Sequence, residues 1–231
     1  MNLRRPDGRP LVIAHRGASV EAPDNSREAL DAAVAAGADV VEFDVSPGLV
    51  VAHEAHAPGL HLYQALELLA QHDVGLHIDL KQRGYEAAVL DAVDTYGLRD
   101  RVLVSSALGR VLRTVATLAP DVPRAIGYPR DRYGVSRFEW PRAVTAPGAA
   151  ALRSLVPARV GLLLRAAGAT VLALHHTLCS SAAVDRAHRR GAPVLAWTVN
   201  EPARMRELAA LGVDAIVSDD PKTALATLRG Q

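Results

Sequence analysis

The sequence holds one cysteine in 231 residues. That single thiol, Cys179, rules out an intramolecular disulfide and any cysteine-cluster metal centre, and among apolar neighbours it reads as a small buried hydrophobe. A metal, if the chain uses one, must be held by histidine or carboxylate. An excess of one charge is equally lacking. With 26 basic and 25 acidic residues the formal charge is +1, which provides no overall field for nucleic acid or an anionic membrane. An anionic partner must therefore be held by a built site. No apolar run is long enough to span a bilayer, and the N-terminal MNLRRPDGRP has no hydrophobic core of a secretion signal, so no integral membrane segment and a cytoplasmic location are expected. Internal repeats, low-complexity tracts and domain boundaries are also missing. At 49% hydrophobic and 22% charged, residues 1–231 read as one globular domain.

Short β-branched runs alternate with Ala/Leu-rich helical runs along the chain. LVIA (11–14) precedes a helix over 26–36, capped by Asn25 or Ser26 and stopped by Gly37. DVVEFDV (39–45) leads through a turn at Ser46-Pro47-Gly48 into the extended LVVAHE. Helices are expected over 63–71, 84–96, 108–118, 158–167, 180–190, 201–210 and from about 220. Between them lie strands GLHIDLK, RVLVSS, VPRAIGY, TVLAL, PVLAWTV and DAIVS. Strands joined through helices pair in parallel with right-handed crossovers, and about eight such units in roughly 250 residues is the size of a closed (β/α)8 TIM barrel. A doubly wound open sheet is the runner-up. Residues 131–155, with DRYGVSRFEWPR and several Pro and Gly, show neither period and read as a long loop with irregular helix over one rim.

In such a barrel the reactive groups belong at the C-terminal strand ends. Reading only those ends yields His15 and Arg16, Glu42 and Asp44, Asp79 and Lys81, Ser105 and Ser106, Trp197 and Asn200, and Ser218 and Asp219. Residues two apart on a strand share a face, so Glu42 and Asp44 point together, as do His77, Asp79 and Lys81. Three carboxylates converging on one mouth call for a cation, and an all-oxygen set suits Mg²⁺ or Ca²⁺ better than zinc. Lys81 and Arg16 beside a dication leave the site slightly positive, which favours a phosphodiester. His53, carried back by LVVAH, joins His15 as a general acid and base pair. Trp197 reads as core or as an apolar wall, joined in the second role by Phe138 or Trp140. His56, His61 and His72 read as surface or packing residues, and His77 as a core residue or an orienting group. One of His175 and His176 can reach the mouth.

The motifs HRG (15–17) with APDNS (22–26), EFDV (42–45), VVAHE (50–54), IDLK (78–81), WTVN (197–200) and GVDAIVSDDP (212–221) resemble the glycerophosphodiester phosphodiesterases in order and across nearly the whole chain. The resemblance implies a metal-dependent enzyme that hydrolyses glycerophosphodiesters to an alcohol and glycerol phosphate. It implies a divalent cation on Glu42, Asp44 and Asp79, with His15 as base and His53 as acid. Arg16, Lys81, Asn25 and Trp197 would contact substrate, a small glycerophosphodiester or a lysophospholipid. Here PDN replaces the family's usual PEN, Asp79 stands for the usual Glu, and Glu54 for the usual Asp. The stretch 54–62 is short where the family carries an insertion beside the site. Sphingomyelinase D-like barrels share a short connection and an Asp at the third metal position, so they stand as an alternative. A metal-free aldolase or isomerase barrel and a degenerate phosphodiester-binding barrel are two further ones.

Overall fold

The computed structural model describes residues 1–3, 8–54, 57–129 and 142–229. In chain order the elements are β1 (Leu11–Ala14), α1 (Arg27–Ala35), β2 (Val40–Ser46), β3 (Val50–Val51), β4 (Leu60–His61), α2 (Leu62–Ala70), β5 (Gly75–Leu80) and α3 (Glu86–Thr95). They continue with β6 (Val102–Ser106), α4 (Gly109–Leu118), β7 (Arg124–Tyr128), α5 (Arg142–Ala167), β8 (Val171–His175), α6 (Ser181–His188), β9 (Val194–Trp197), α7 (Pro202–Ala210), β10 (Ala215–Ser218) and α8 (Pro221–Leu228). Strands β1, β2 and β5 to β10 pair in parallel. The ring closes through β1, whose Leu11 faces Ala215 of β10 and whose Ile13 faces Val40 of β2. This is the (β/α)8 TIM barrel that the alternation implied.

Every second residue of these strands points to the axis. Leu11, Ile13, Val40, Leu103, Ala125, Val171, Ala173, Leu195, Ala215 and Val217 fill the lumen, with Leu3 packed among them. The other faces bury against the helices in two larger clusters. A packed lumen leaves only the C-terminal ends of the strands open to a ligand. Ser26 caps α1, its hydroxyl accepting from the Ala29 amide. Beyond β2 the chain does not continue as a long strand. Val51 and Val50 fold back antiparallel on Val45 and Ser46, and β4 pairs with β3 in turn.

Helix α5 corrects the reading of 131–155. Residues 142–155 belong to a helix that begins at Arg142, whereas 130–141, with Phe138 and Trp140, lie outside the described residues, as does His56. Pro147, Gly148, Pro157 and Gly161 erase the local helical signal. Tertiary packing overrides it, because Val156, Val160 and Leu164 recur every fourth residue on a buried face.

Candidate active site

The strand ends bring most of the expected groups into one connected cluster. Arg16 and Asn25 both adopt positive φ, 54° and 60°, so the chain after β1 curls tightly over the end of β2. The curl is held by the Arg16 amide donating to Glu42 Oε2 at 2.8 Å and the Asn25 amide donating to the Arg16 carbonyl at 3.0 Å. Gly17, at φ 83°, sits against α1, where an added Cβ would lie 2.5 Å from the Ala29 backbone. Asn25 is buried. Its Oδ1 accepts from the Asp44 amide at 2.9 Å, and its Nδ2 donates to Asp44 Oδ2 at 3.2 Å. The side chain expected to touch substrate is thus engaged in fixing Asp44.

Carboxylate oxygens of Glu42, Asp44 and Asp79 lie within 4.8 Å of one another. Lys81 Nζ is wedged 2.5 Å from Asp44 Oδ1 and 2.5 Å from Asp79 Oδ2. Arg16 approaches Asp44 Oδ2 through Nε at 3.0 Å and donates to Asp24 through Nη1 at 2.7 Å. Burial opposes ionisation of Asp44, but the hydrogen bond from His53 and the charges of Lys81 and Arg16 outweigh it and hold this carboxyl far below the usual range. Glu42 goes the other way. Burial first, and then the negative charge of Asp44, push it up to about 7. Burial alone would depress Lys81, yet Asp79 and Asp44 raise it.

Both histidines reach the mouth with Nδ1 on a carboxylate. His15 Nδ1 is 2.6 Å from Asp219 Oδ1, which joins the two ends of the barrel sequence. Burial disfavours the imidazolium, but Asp219 and Glu42 prevail and raise the His15 pKa. Asp219 is itself fixed by Asn200 Nδ2 at 2.6 Å and Ser19 Oγ at 3.2 Å. His53 Nδ1 lies 3.0 Å from Asp44 Oδ2 and 3.1 Å from Arg16 Nη2. When protonated there it donates to Asp44, and when bare it accepts from Arg16.

A second relay supports Asp79. Ser105 Oγ donates to Asp79 Oδ1 at 2.6 Å, so its oxygen accepts from His77 Nε2 at 2.8 Å. His77 is buried, and burial pulls its pKa down to about 4. It is therefore a neutral orienting group. On the opposite side of the mouth, Trp197 packs beside the luminal cluster, and His175 meets it edge-on with centroids 5.2 Å apart. His61 caps α2, where it accepts from the Tyr63 amide. The strand-end rule named Asp219, Asn200 and Ser105 as rim residues, but nothing in the sequence said which histidine or acid each would meet.

The metal reading can be tested on the donor set itself. Three buried or half-buried carboxylates offer oxygen only and converge on one point, the Lys81 ammonium already stands between Asp44 and Asp79 as a cation, and burial with the charge of Asp44 keeps Glu42 from ionising in its usual range. These residues fit a hard divalent cation.

A rim of this composition at the C-terminal end of a closed parallel barrel places the chain among the phosphodiester-cleaving barrel enzymes. The model of the Glycerophosphoryl diester phosphodiesterase family matches residues 15–47 and 75–223. The chain belongs to that family. The unmatched stretch 48–74 contains His53 and the short connection after it. A Glycerophosphodiester phosphodiesterase of Caldanaerobacter subterraneus is 25% identical over 266 residues, covering 95% of this chain and 98% of that protein. Among solved structures, a putative glycerophosphoryl diester phosphodiesterase of Silicibacter pomeroyi superposes with a TM-score of 0.76 at 23% identity, covering 99% of this chain and 96% of that one. An Oleispira antarctica phosphodiesterase, solved in complex with its product sn-glycerol-3-phosphate, superposes with a TM-score of 0.74 at 23% identity, covering 96% and 98%.

Proposed function

We propose that residues 1–231 form one metal-dependent phosphodiesterase domain that hydrolyses glycerophosphodiesters to an alcohol and glycerol phosphate. The observation that carries this reading is the pairing of His15 Nδ1 with Asp219 and of His53 Nδ1 with Asp44. Each imidazole is left with Nε2 as its working atom.

Glu42, Asp44 and Asp79 would hold the divalent cation, Mg²⁺ or Ca²⁺. When bound, such an ion supplies Lewis acidity toward a phosphoryl oxygen and an attacking hydroxyl. Arg16 and Lys81 hold the phosphate by charge. In a glycerophosphodiester a hydroxyl lies next to phosphorus, so its attack gains the advantage of a tethered nucleophile and forms a cyclic phosphate. His15 Nε2 takes that proton, helped by the basicity that Asp219 confers, and His53 donates a proton to the departing alcohol; water then opens the cyclic phosphate, with His53 taking its proton and His15 returning one to the ring oxygen, to give glycerol phosphate. Trp197 with His175 forms the apolar side of the mouth.

The test is chelation followed by readdition. Exhaustive EDTA treatment abolishes turnover of glycerophosphocholine and Mg²⁺ or Ca²⁺ restores it. Glu42→Gln, Asp44→Asn and Asp79→Asn each weaken metal binding by calorimetry, and His53→Ala lowers kcat by roughly 10²- to 10⁴-fold without changing the fold. Turnover that survives chelation would remove the metal from the mechanism. Full activity in His53→Ala would remove the histidine pair.

A further inference from the structure

The formal charge of +1 conceals a strong segregation. Residues 101–184 contain eleven arginines, no lysine and three acids, Asp121, Asp131 and Glu139. The arginine-rich stretch includes α4 and α5, neither of which contains an acidic or an aromatic residue. Asp121 is paired with Arg99.

At the C-terminal rim, just past the ends of β5 and β6, a groove of about 660 Å³ lies between Gln82 and Arg83 and Leu108 to Val111 at the start of α4. A second cavity of about 380 Å³ shares Arg83 and Arg110 with it and runs along α4 past Arg113, Thr114 and Thr117. Arg83, Arg110 and Arg113 are exposed, and among the described residues none pairs with a carboxylate. Arg113 keeps one N–H on the Ala166 carbonyl, which ties α4 to the last turn of α5. The same two helices carry three of the five most exposed large apolar side chains among the described residues, Leu118 at 49%, Leu155 at 48% and Leu162 at 61%. Arg159 and Arg165 are exposed on α5 in the same stretch.

We propose that this groove and the adjoining faces of α4 and α5 dock on an anionic phospholipid bilayer, with the arginines on lipid phosphates and the leucines in the acyl boundary. Guanidinium groups bind phosphate oxygens in a bidentate fork, and threonine hydroxyls add neutral donors. Three exposed arginines along an open groove suit a surface of many phosphates, whereas one small anion would be held by buried donors. Exposed leucines on the same two helices add the apolar component of an interfacial contact. A second copy of the chain is disfavoured, because a two-fold contact would set arginine against arginine. Single-stranded nucleic acid is disfavoured because neither helix offers an aromatic platform.

The experiment is sedimentation of the full chain with vesicles of phosphatidylcholine alone and of phosphatidylcholine with phosphatidylglycerol. Binding to the anionic vesicles is expected at least tenfold above the neutral ones, and it should fall steeply with added salt. Arg83→Gln combined with Arg110→Gln should weaken it roughly tenfold, the paired Lys substitutions should retain most of it, and Leu162→Ser should weaken it at unchanged salt dependence. None of these residues belongs to the catalytic cluster, so hydrolysis of a soluble diester should be unchanged. Equal binding to both vesicle types, or full binding by the double Gln variant, would overturn the proposal. So would displacement by millimolar inorganic phosphate, which marks a free-anion site, or by an oligonucleotide at lower concentration than lipid. A protein found inactive on diesters that still binds anionic vesicles would refute the catalytic reading and leave this one standing.

Discussion

Asp219 is the residue on which the behaviour of His15 turns. Burial alone would lower the imidazole pKa, and the Asp219 hydrogen bond at 2.6 Å together with the charge of Glu42 reverses that sign. If His15 acts as base it must be neutral, so kcat/KM should rise with pH through its raised pKa. Asp219→Asn removes the negative charge and must move that acidic limb down, by about one pH unit, while lowering the plateau rate. A pH–rate profile of the variant checks both. A purely structural role would lower the rate at every pH and leave the limb in place.

At the scale of elements, the loop after β1 and helix α1 form one unit. The left-handed conformations of Arg16, Gly17 and Asn25 direct His15 to Asp219, the Arg16 amide to Glu42, and Asn25 to Asp44. Gly17 is the position at which this loop touches the α1 backbone. Its φ of 83° disfavours any side chain, and a Cβ would overlap the Ala29 carbonyl carbon at 2.5 Å. Gly17→Ala should therefore destabilise the protein by about 2–4 kcal/mol, seen as a lower denaturant midpoint. It should also depress activity in the protein that remains folded, because the curl that carries Arg16 and Asn25 must shift. The antiparallel return of β3 on β2 plays the matching role for His53. It turns the chain back on the end of β2, so a histidine nine residues beyond Asp44 comes to lie 3.0 Å from it.

For the whole molecule, the proposed function makes the short sequence between Glu54 and α2 the feature expected to set how a substrate is held. On the proposed mechanism Arg16, Lys81 and a cation on the carboxylates would grip the diester through its phosphate, and Trp197 with His175 would supply only a small wall. His53 is itself 40% exposed. Few contacts reach the departing alcohol, so transition-state binding should discriminate weakly among head groups. Glycerophosphocholine, glycerophosphoethanolamine and glycerophosphoglycerol should show kcat/KM values within roughly tenfold, about 1.4 kcal/mol. A steady-state assay over the three, following released alcohol and cyclic phosphate, measures this. A thousandfold preference would show that another part of the chain closes over the mouth. No helix among the described residues is long and apolar enough to cross a membrane.

The barrel and most of its reactive rim were legible in the sequence because both depend on local rules. A buried parallel strand must be β-branched and apolar, a crossover needs a helix, and a closed barrel exposes polar groups only where its strands end. Those rules alone set His15, Arg16, Glu42, Asp44, Asp79 and Lys81 at one mouth. What they could not determine was which group meets which, since that depends on the register and closure of the ring. Asp219 reaches His15 only because β10 lies beside β1, 204 residues apart in sequence. Asn25 turns inward to Asp44 only because the β1 loop curls with positive φ, and α5 persists through Pro157 and Gly161 because its buried valines pack on neighbouring elements. Charge segregation was present in the order of the residues, but a net sum erases position. Among the described residues, folding determined which arginines line one groove without a carboxylate partner, because Arg124 is turned inward onto backbone carbonyls while Arg83 and Arg110 are left facing solvent.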